Sequence, residues 1–164
     1  MRHIIGILLQ NEAGALARVA GMFSSRGFNI ESLSVAPTND PAVSRLTLVS
    51  SGEDTTILQI VNQLNKLVDV VNVEDMTRGE HIERELVLVK LRVDAVKRDA
   101  VRGYVMRTGG KVLDPTAECF IVELLGSESE VSGFVADLSN QAALVEVVRS
   151  GALGVSRSAR TVPA

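Results

Sequence analysis

The polar stretch MTRGEHIERE, residues 76–85, interrupts a chain otherwise made of short aliphatic runs, and the same order of runs occurs on either side of it. Before the break, HIIGILLQ (3–10) is a compact apolar run that reads as a buried strand. After NEAG, Leu16, Val19, Ala20 and Phe23 recur at helical spacing, so one face of a helix is apolar. Gly27 follows Arg26 and suits a helix stop. FNIESLSV (28–35) reads as a second strand, APTNDP as a turn and SRLTLVSS (44–51) as a third strand. Ile57, Ile60, Val61, Leu64 and Leu67 mark a second helix, whose start suits the acidic pair Glu53 and Asp54 through the helix dipole. VDVVNVED (68–75) is a fourth strand.

After the break, LVLVKLRV (86–93) is a strand. Val96, Ala100, Val101, Tyr104 and Val105 share a helical face, and GGKVLDP holds a turn and a short strand. ECFIVELLG (118–126) is a strand, Val131, Phe134, Val135 and Leu138 mark a helix, and ALVEVVRSG (143–151) reads as the last strand. Each half thus has the order β-α-β-β-α-β, the split βαβ arrangement of ferredoxin-like domains. The expected fold class is α+β, with a first domain at 1–77, a linker at 78–85, a second ferredoxin-like domain at 86–158 and a loose tail at 159–164.

Several function classes are disfavoured. Aromatic residues are 3% of the 164 and Trp is absent, which leaves no platform for stacking nucleic-acid bases. A formal charge of −3 gives no strong pull toward nucleic acid or an anionic membrane. No apolar run approaches the roughly 20 residues of a membrane span, and no signal-peptide core is present. The single cysteine, Cys119, excludes an intrachain disulfide and reads as a buried thiol, consistent with a reduced, cytoplasmic setting.

The search for chemistry finds no catalytic constellation. His3 and His81 lack a metal-type neighbour and read as edge or solvated residues, and Glu83 and Glu85 read as hydrated linker carboxylates. No Gly-rich phosphate loop or nucleophile elbow occurs. Arg149, Arg157 and Arg160 are candidates for an acidic partner surface, with plain solvation as the simpler reading.

The stretch NEAGALARVAGMFSSRGFNIESL (11–33) carries the remaining signal. A helix start has unpaired N–H groups and a partial positive charge, which suit a carboxylate. Gly14 lets a ligand or a second chain approach its backbone. Asn11 either caps the helix or offers its amide to a ligand. Asn29 stands just inside the expected strand, where asparagine is disfavoured. Its amide can serve both an ammonium and a carboxylate, or bond locally to backbone. Leu9, Leu16 and Ile30 supply apolar wall. The set suits a free aliphatic amino acid; each residue also has an ordinary structural reading.

The pattern N-x-x-G-x-L-x-R-V followed by F-x-x-R-G-F-N-I-x-S-L and A-P-T…S-R resembles the start of the small regulatory subunits of acetohydroxyacid synthase (acetolactate synthase). KLVDVVNVEDMT, HIERELVLVK and EVVRSGALGVSR also resemble segments of that family, so the likeness spans nearly the whole chain. It is looser between 95 and 140, and SRSAR departs from the S-R-G common at the end. The resemblance implies that the first domain is an ACT domain that pairs in a homodimer and binds valine or another branched-chain amino acid at the seam. Asn11, Gly14, Ala15 and Leu16 would come from one chain, and Asn29 and Ile30 from the other. It further implies a noncatalytic subunit with no cofactor of its own. Such a subunit activates a large catalytic subunit, which carries thiamine diphosphate, magnesium and FAD, and confers feedback inhibition. A free-standing amino-acid sensor for a different enzyme is the alternative.

Overall fold

The computed structural model describes residues 1–115 and 119–157. The expected tail at 159–164, and with it Arg160, lies outside the described residues, as does Glu118. The chain divides into two compact units, residues 1–83 with 152 onward, and residues 84–151.

In the first unit, strands β1 (Arg2–Gln10), β2 (Ser32–Pro37), β3 (Val43–Ser51) and β4 (Val70–Asp75) form an antiparallel sheet ordered β2-β3-β1-β4. Helices α1 (Ala15–Ser25) and α2 (Asp54–Leu64) cover one face. This is the expected ferredoxin-like order. Ile5, Ile7 and Leu9 of β1 and Leu46 and Leu48 of β3 point at Val19 and Phe23 of α1 and Ile57, Ile60 and Leu64 of α2, all buried. His3 has the same parity and is buried too, with Nε2 3.7 Å from Asp54 Oδ1. The expected edge position is thereby corrected, because β1 is a central strand.

Helix α1 ends as the sequence suggests. Gly27 takes φ +69°, its N–H reaches Ser24 O, and the Phe28 N–H reaches Phe23 O. These two bonds close the last turn in the Schellman manner, and Phe23 and Phe28 meet edge-on at 6.2 Å. The turn displaces the next strand, which starts at Ser32 rather than at residue 28. Asn29 therefore sits in a connection and not inside a strand.

The second unit repeats the scheme. Strand β5 (His81–Arg92), helix α3 (Arg98–Arg107), β6 (Lys111–Pro115), β7 (Phe120–Gly126), helix α4 (Glu128–Gln141) and β8 (Ala143–Arg149) give a sheet ordered β6-β7-β5-β8. Val87, Val89 and Leu91 of β5 pack with Val101, Val105, Phe120, Val122, Val131, Phe134 and Leu138. Val96 falls in a short 3₁₀ turn ahead of α3 and is 95% exposed, so it is not part of the apolar helical face. Cys119 precedes β7 and is half-buried, not buried as expected.

Residues 81–85, expected within the linker, extend β5, and their carboxylates are held by arginines. Glu83 accepts from Arg2, and Glu85, 3% exposed, accepts from Arg149 Nε at 2.8 Å and Nη2 at 2.6 Å. Neither is a hydrated linker group. Burial of a carboxylate demands such a partner.

Residues 152–157, expected in the second domain, belong with the first unit and contain a further strand, β9 (Leu153–Ser156). The sheet face of the first unit that α1 and α2 leave open carries Ile4, Val49 and Met76. Ala152 packs there. The Ala152 N–H donates to Ser32 Oγ at 2.9 Å, and the Gly154 N–H reaches Thr47 Oγ1 at 3.4 Å. A Cβ at Gly154 would stand 2.7 Å from Met76 Cε and 2.9 Å from Ile4 Cδ1. Gly154→Val is expected to destabilise the first unit by about 1–3 kcal/mol through overpacking, read as a lower denaturant midpoint at unchanged slope.

Candidate functional site

Helix α1 starts without a side-chain cap. Its N-cap is Gly14 at φ +89°, ψ −14°, a left-handed conformation that a Cβ penalises, and no acidic residue lies in the first turn. The Ala15 N–H bonds Glu12 O at 3.2 Å and the Arg18 N–H bonds Gly14 O at 2.9 Å. The N–H groups of Leu16 and Ala17, between them, have no acceptor among the described residues. They point out of the helix start with the positive end of its dipole.

Asn11 does not cap this helix. Its Nδ2 donates to Pro41 O at 2.9 Å and its backbone N–H to Ala42 O at 2.8 Å, which ties the start of the connection to the β2–β3 loop. The open φ/ψ of Gly14 does the work of turning the chain, so the asparagine is not needed there. Ala15 is 1% exposed and anchors the first turn in the core, whereas Leu16 is 37% exposed and faces outward. The entrance thus presents bare amides beside an exposed apolar side chain.

A cation completes it. Arg18 grips Asp69 through Nε and, at 2.7 Å, Nη2. Its Nη1 has no partner and lies 3.0 Å from where a Cβ on Gly14 would stand. Asp69 is itself placed by its backbone O, which accepts from the Gln10 N–H at 2.8 Å. Arg18 was legible in the sequence only as part of the R-V motif, and Asp69 carried no signal. The pairing of residues 51 apart is a property of the fold.

The Arg18 hydrogen bond, and then its charge, holds the Asp69 carboxyl below the usual aspartate range, against the opposing effect of burial. A carboxyl with a depressed folded pKa contributes stability above its unfolded pKa and loses that contribution as pH falls through the folded value. Arg18→Met is therefore expected to lower the Tm at neutral pH. The gap from the parent protein should close as pH falls below the ordinary aspartate range. Melting curves from pH 7 downward check this; a gap that widens in acid contradicts the pairing.

Asn29 and Ile30 lie elsewhere. The Asn29 backbone O accepts from Ser50 Oγ at 2.7 Å, and Ser50 pairs with His3 across β1–β3. Asn11 is eight residues beyond His3 along the same chain direction, roughly 25 Å at the rise of a strand. The Asn29 side chain is exposed and unpartnered, and Ile30 is half-buried against the core. One chain therefore brings Asn11, Gly14, Ala15 and Leu16 together and leaves Asn29 and Ile30 at the far end of α1.

Among the described residues no three His, Cys, Asp or Glu side chains are grouped as a metal site requires. No helix among the described residues is long and apolar enough to cross a membrane.

Residues 5–72 match the model of the acetohydroxyacid synthase small-subunit-like ACT domain, so the first unit is an ACT domain. Residues 84–158 match the model of the small subunit of acetolactate synthase. The chain is 45% identical over 157 residues to the acetolactate synthase isozyme 3 small subunit of Escherichia coli K12, covering 96% of each. It is 44% identical to the acetolactate synthase small subunit of Haemophilus influenzae, covering 99% of each. The crystal structure of the small subunit from Thermotoga maritima superposes with a TM-score of 0.86 at 35% identity, over 96% of this chain and 98% of that one. The chain belongs to the acetolactate synthase small-subunit family.

Proposed function

We propose that the protein is the noncatalytic regulatory subunit of acetolactate synthase, which activates a large catalytic subunit and subjects it to feedback inhibition by valine. The observation that carries the effector site is the uncapped start of α1 within an ACT domain. Leu16 and Ala17 offer free N–H groups, Gly14 offers close approach, and Arg18 Nη1 adds positive charge. A carboxylate placed there gains charge-assisted hydrogen bonds, and Leu16 offers an apolar surface to a branched side chain.

An ammonium needs an acceptor, and the carboxylates at the entrance, Asp69 and Glu12, both act on Arg18. Asn29 has one, but it is too far away in its own chain. A second chain brings Asn29 and Ile30 to the entrance of the first, so the site is the seam of a homodimer and each ligand touches both copies. The effector function resides in the ACT domain, residues 1–77. Thiamine diphosphate, magnesium and FAD belong to the catalytic partner, and the complex works in the cytoplasm.

Valine bound at the seam alters the pairing of the two ACT domains, and the attached catalytic subunit reads the change. Inhibition requires that valine bind the inhibited state more tightly than the active one. A coupling of about 1–3 kcal/mol is typical of such systems. The test is reconstitution with the large subunit, measuring acetolactate formation with and without valine, leucine and isoleucine. The proposal expects activation by this chain and inhibition by valine only when it is present. Failure to capture the catalytic subunit would redirect the reading to a free-standing amino-acid sensor.

A further inference from the structure

The connection that carries Asn29 is pinned along its length. At its start the Gly27 N–H reaches Ser24 O and the Phe28 N–H reaches Phe23 O. At its end the Glu31 N–H donates to Val49 O at 2.9 Å. These bonds join backbone groups, which every non-proline residue supplies whatever its side chain. The tether between them is different in kind. The Asn29 backbone O accepts from a side chain, Ser50 Oγ, at 2.7 Å. Among the described residues no other donor reaches that carbonyl.

Ser50 continues a row of core residues. Leu46, Leu48 and Ser50 alternate along β3, opposite Ile7, Ile5 and His3 of β1. Leu46 and Leu48 are fully buried, and Ser50 is 1% exposed. A strand interior favours β-branched and aromatic side chains, and a buried hydroxyl costs free energy unless it is bonded. The β3 ladder runs through backbone groups and needs nothing from this hydroxyl. Its proton goes instead to a connection 21 residues earlier in the chain. The position serves that connection rather than the strand.

What the bond fixes is a plane. A peptide unit is rigid, so holding Asn29 O holds the whole Asn29–Ile30 peptide and with it the direction in which the Asn29 side chain leaves the backbone. That side chain is exposed and has no partner among the described residues, so nothing beside it aims its amide.

We propose that Ser50 is a positioning residue of the effector seam. Its hydroxyl, buried away from the ligand, sets the Asn29 amide at bonding distance from an effector held by the second copy. A hydrogen bond is lost once its atoms drift past about 3.5 Å, so a small shift of this connection is enough to forfeit the contact. The inference rests on the reading in which Asn29 meets valine across the homodimer.

The experiment is calorimetric titration of the full-length chain with valine, with melts to confirm folding. Asn29→Ala is expected to raise the Kd about tenfold or more, because its amide bonds charged groups of the ligand. Ser50→Ala melts lower, having left a carbonyl unpaired, and should raise the Kd about fivefold. Ser50→Thr keeps the hydroxyl and should bind valine as the parent does. The double variant decides. With the amide gone the hydroxyl has nothing to aim, so Asn29→Ala with Ser50→Ala should bind no worse than Asn29→Ala alone. A residue that only supports the fold would weaken both backgrounds by the same factor, and that result, or parent affinity in Ser50→Ala, overturns the inference and leaves the seam standing. Parent affinity in Asn29→Ala removes the seam assignment and this inference with it. Should Ser50→Ala fail to fold, Ser50→Cys, of similar size but a weak donor, replaces it under the same criteria.

Discussion

Gly14→Asp is expected to abolish the response to valine while leaving the chain folded. The substitution places a carboxylate beside the two free N–H groups of α1 and beside Arg18 Nη1, where the ligand carboxylate is to sit. Hydrogen bonds to a charged group are worth about 1.5–3 kcal/mol each, so losing two and adding repulsion lowers affinity by about 100-fold or more. The residue also enters a left-handed conformation at φ +89°, at a cost of about 1–2 kcal/mol. Gly14→Ala separates the two effects, because it carries the backbone penalty without the charge. Calorimetry on both variants, with a melt to confirm folding, checks the expectation. Normal valine binding by folded Gly14→Asp would remove the site from this helix start.

The second large effect concerns stability. Arg149→Met is expected to destabilise the second unit by about 2–3 kcal/mol, seen as a lower denaturant midpoint for that unit. Breaking a buried ion pair by removing one partner costs about 3–5 kcal/mol, because the other charge stays buried. Here the arginine side chain is 38% exposed, so water screens the pair and the cost falls below that range. Glu85 is the side that suffers, since its side chain is 5% exposed and both its oxygens accept from this one guanidinium. Glu85→Gln in the Arg149→Met background should recover part of the loss. A change below about 0.5 kcal/mol would mean that water replaces the guanidinium at no cost. The result also bears on partner binding, because Arg149 is committed inside its own unit.

The fold was legible because its signal is periodic. Ile5, Ile7 and Leu9 alternate, and Val19 and Phe23 lie one helical turn apart. A sheet covered on one face by two helices buries these residues together. What was not legible depends on which residues meet across long separations. His3 looks like an edge residue until β1 is known to be the central strand, between β3 and β4. Glu85 looks hydrated until β8 brings Arg149 alongside. Leu153–Ser156 is too short and too small in its side chains to announce a strand; it is held by an open sheet face that the local sequence does not encode.

The entrance of α1 was legible in part. Gly14 and the bare amides follow from the absence of a capping residue just before the helix. Asn11 looked equally like a cap, and its bond to Pro41 O, 30 residues on, could be seen only in the fold. The same holds for Arg18 with Asp69. The tether from Ser50 to Asn29 gave no signal at all, because a serine in a strand says nothing about the connection it holds until the sheet is placed.

The return of residues 152–157 to Ile4, Val49 and Met76 governs the order in which the molecule can be finished. A ribosome delivers residues 1–83 first, yet Ile4, Val49 and Met76 lack the cover of Ala152 until residues 152–157 are made. The early half must wait, half-dressed, while everything up to residue 151 is made, and sticky surface left bare invites clumping. Anyone isolating the leading half by itself inherits that bare patch. Splicing 152–157 back on through a short linker is the way to obtain it intact.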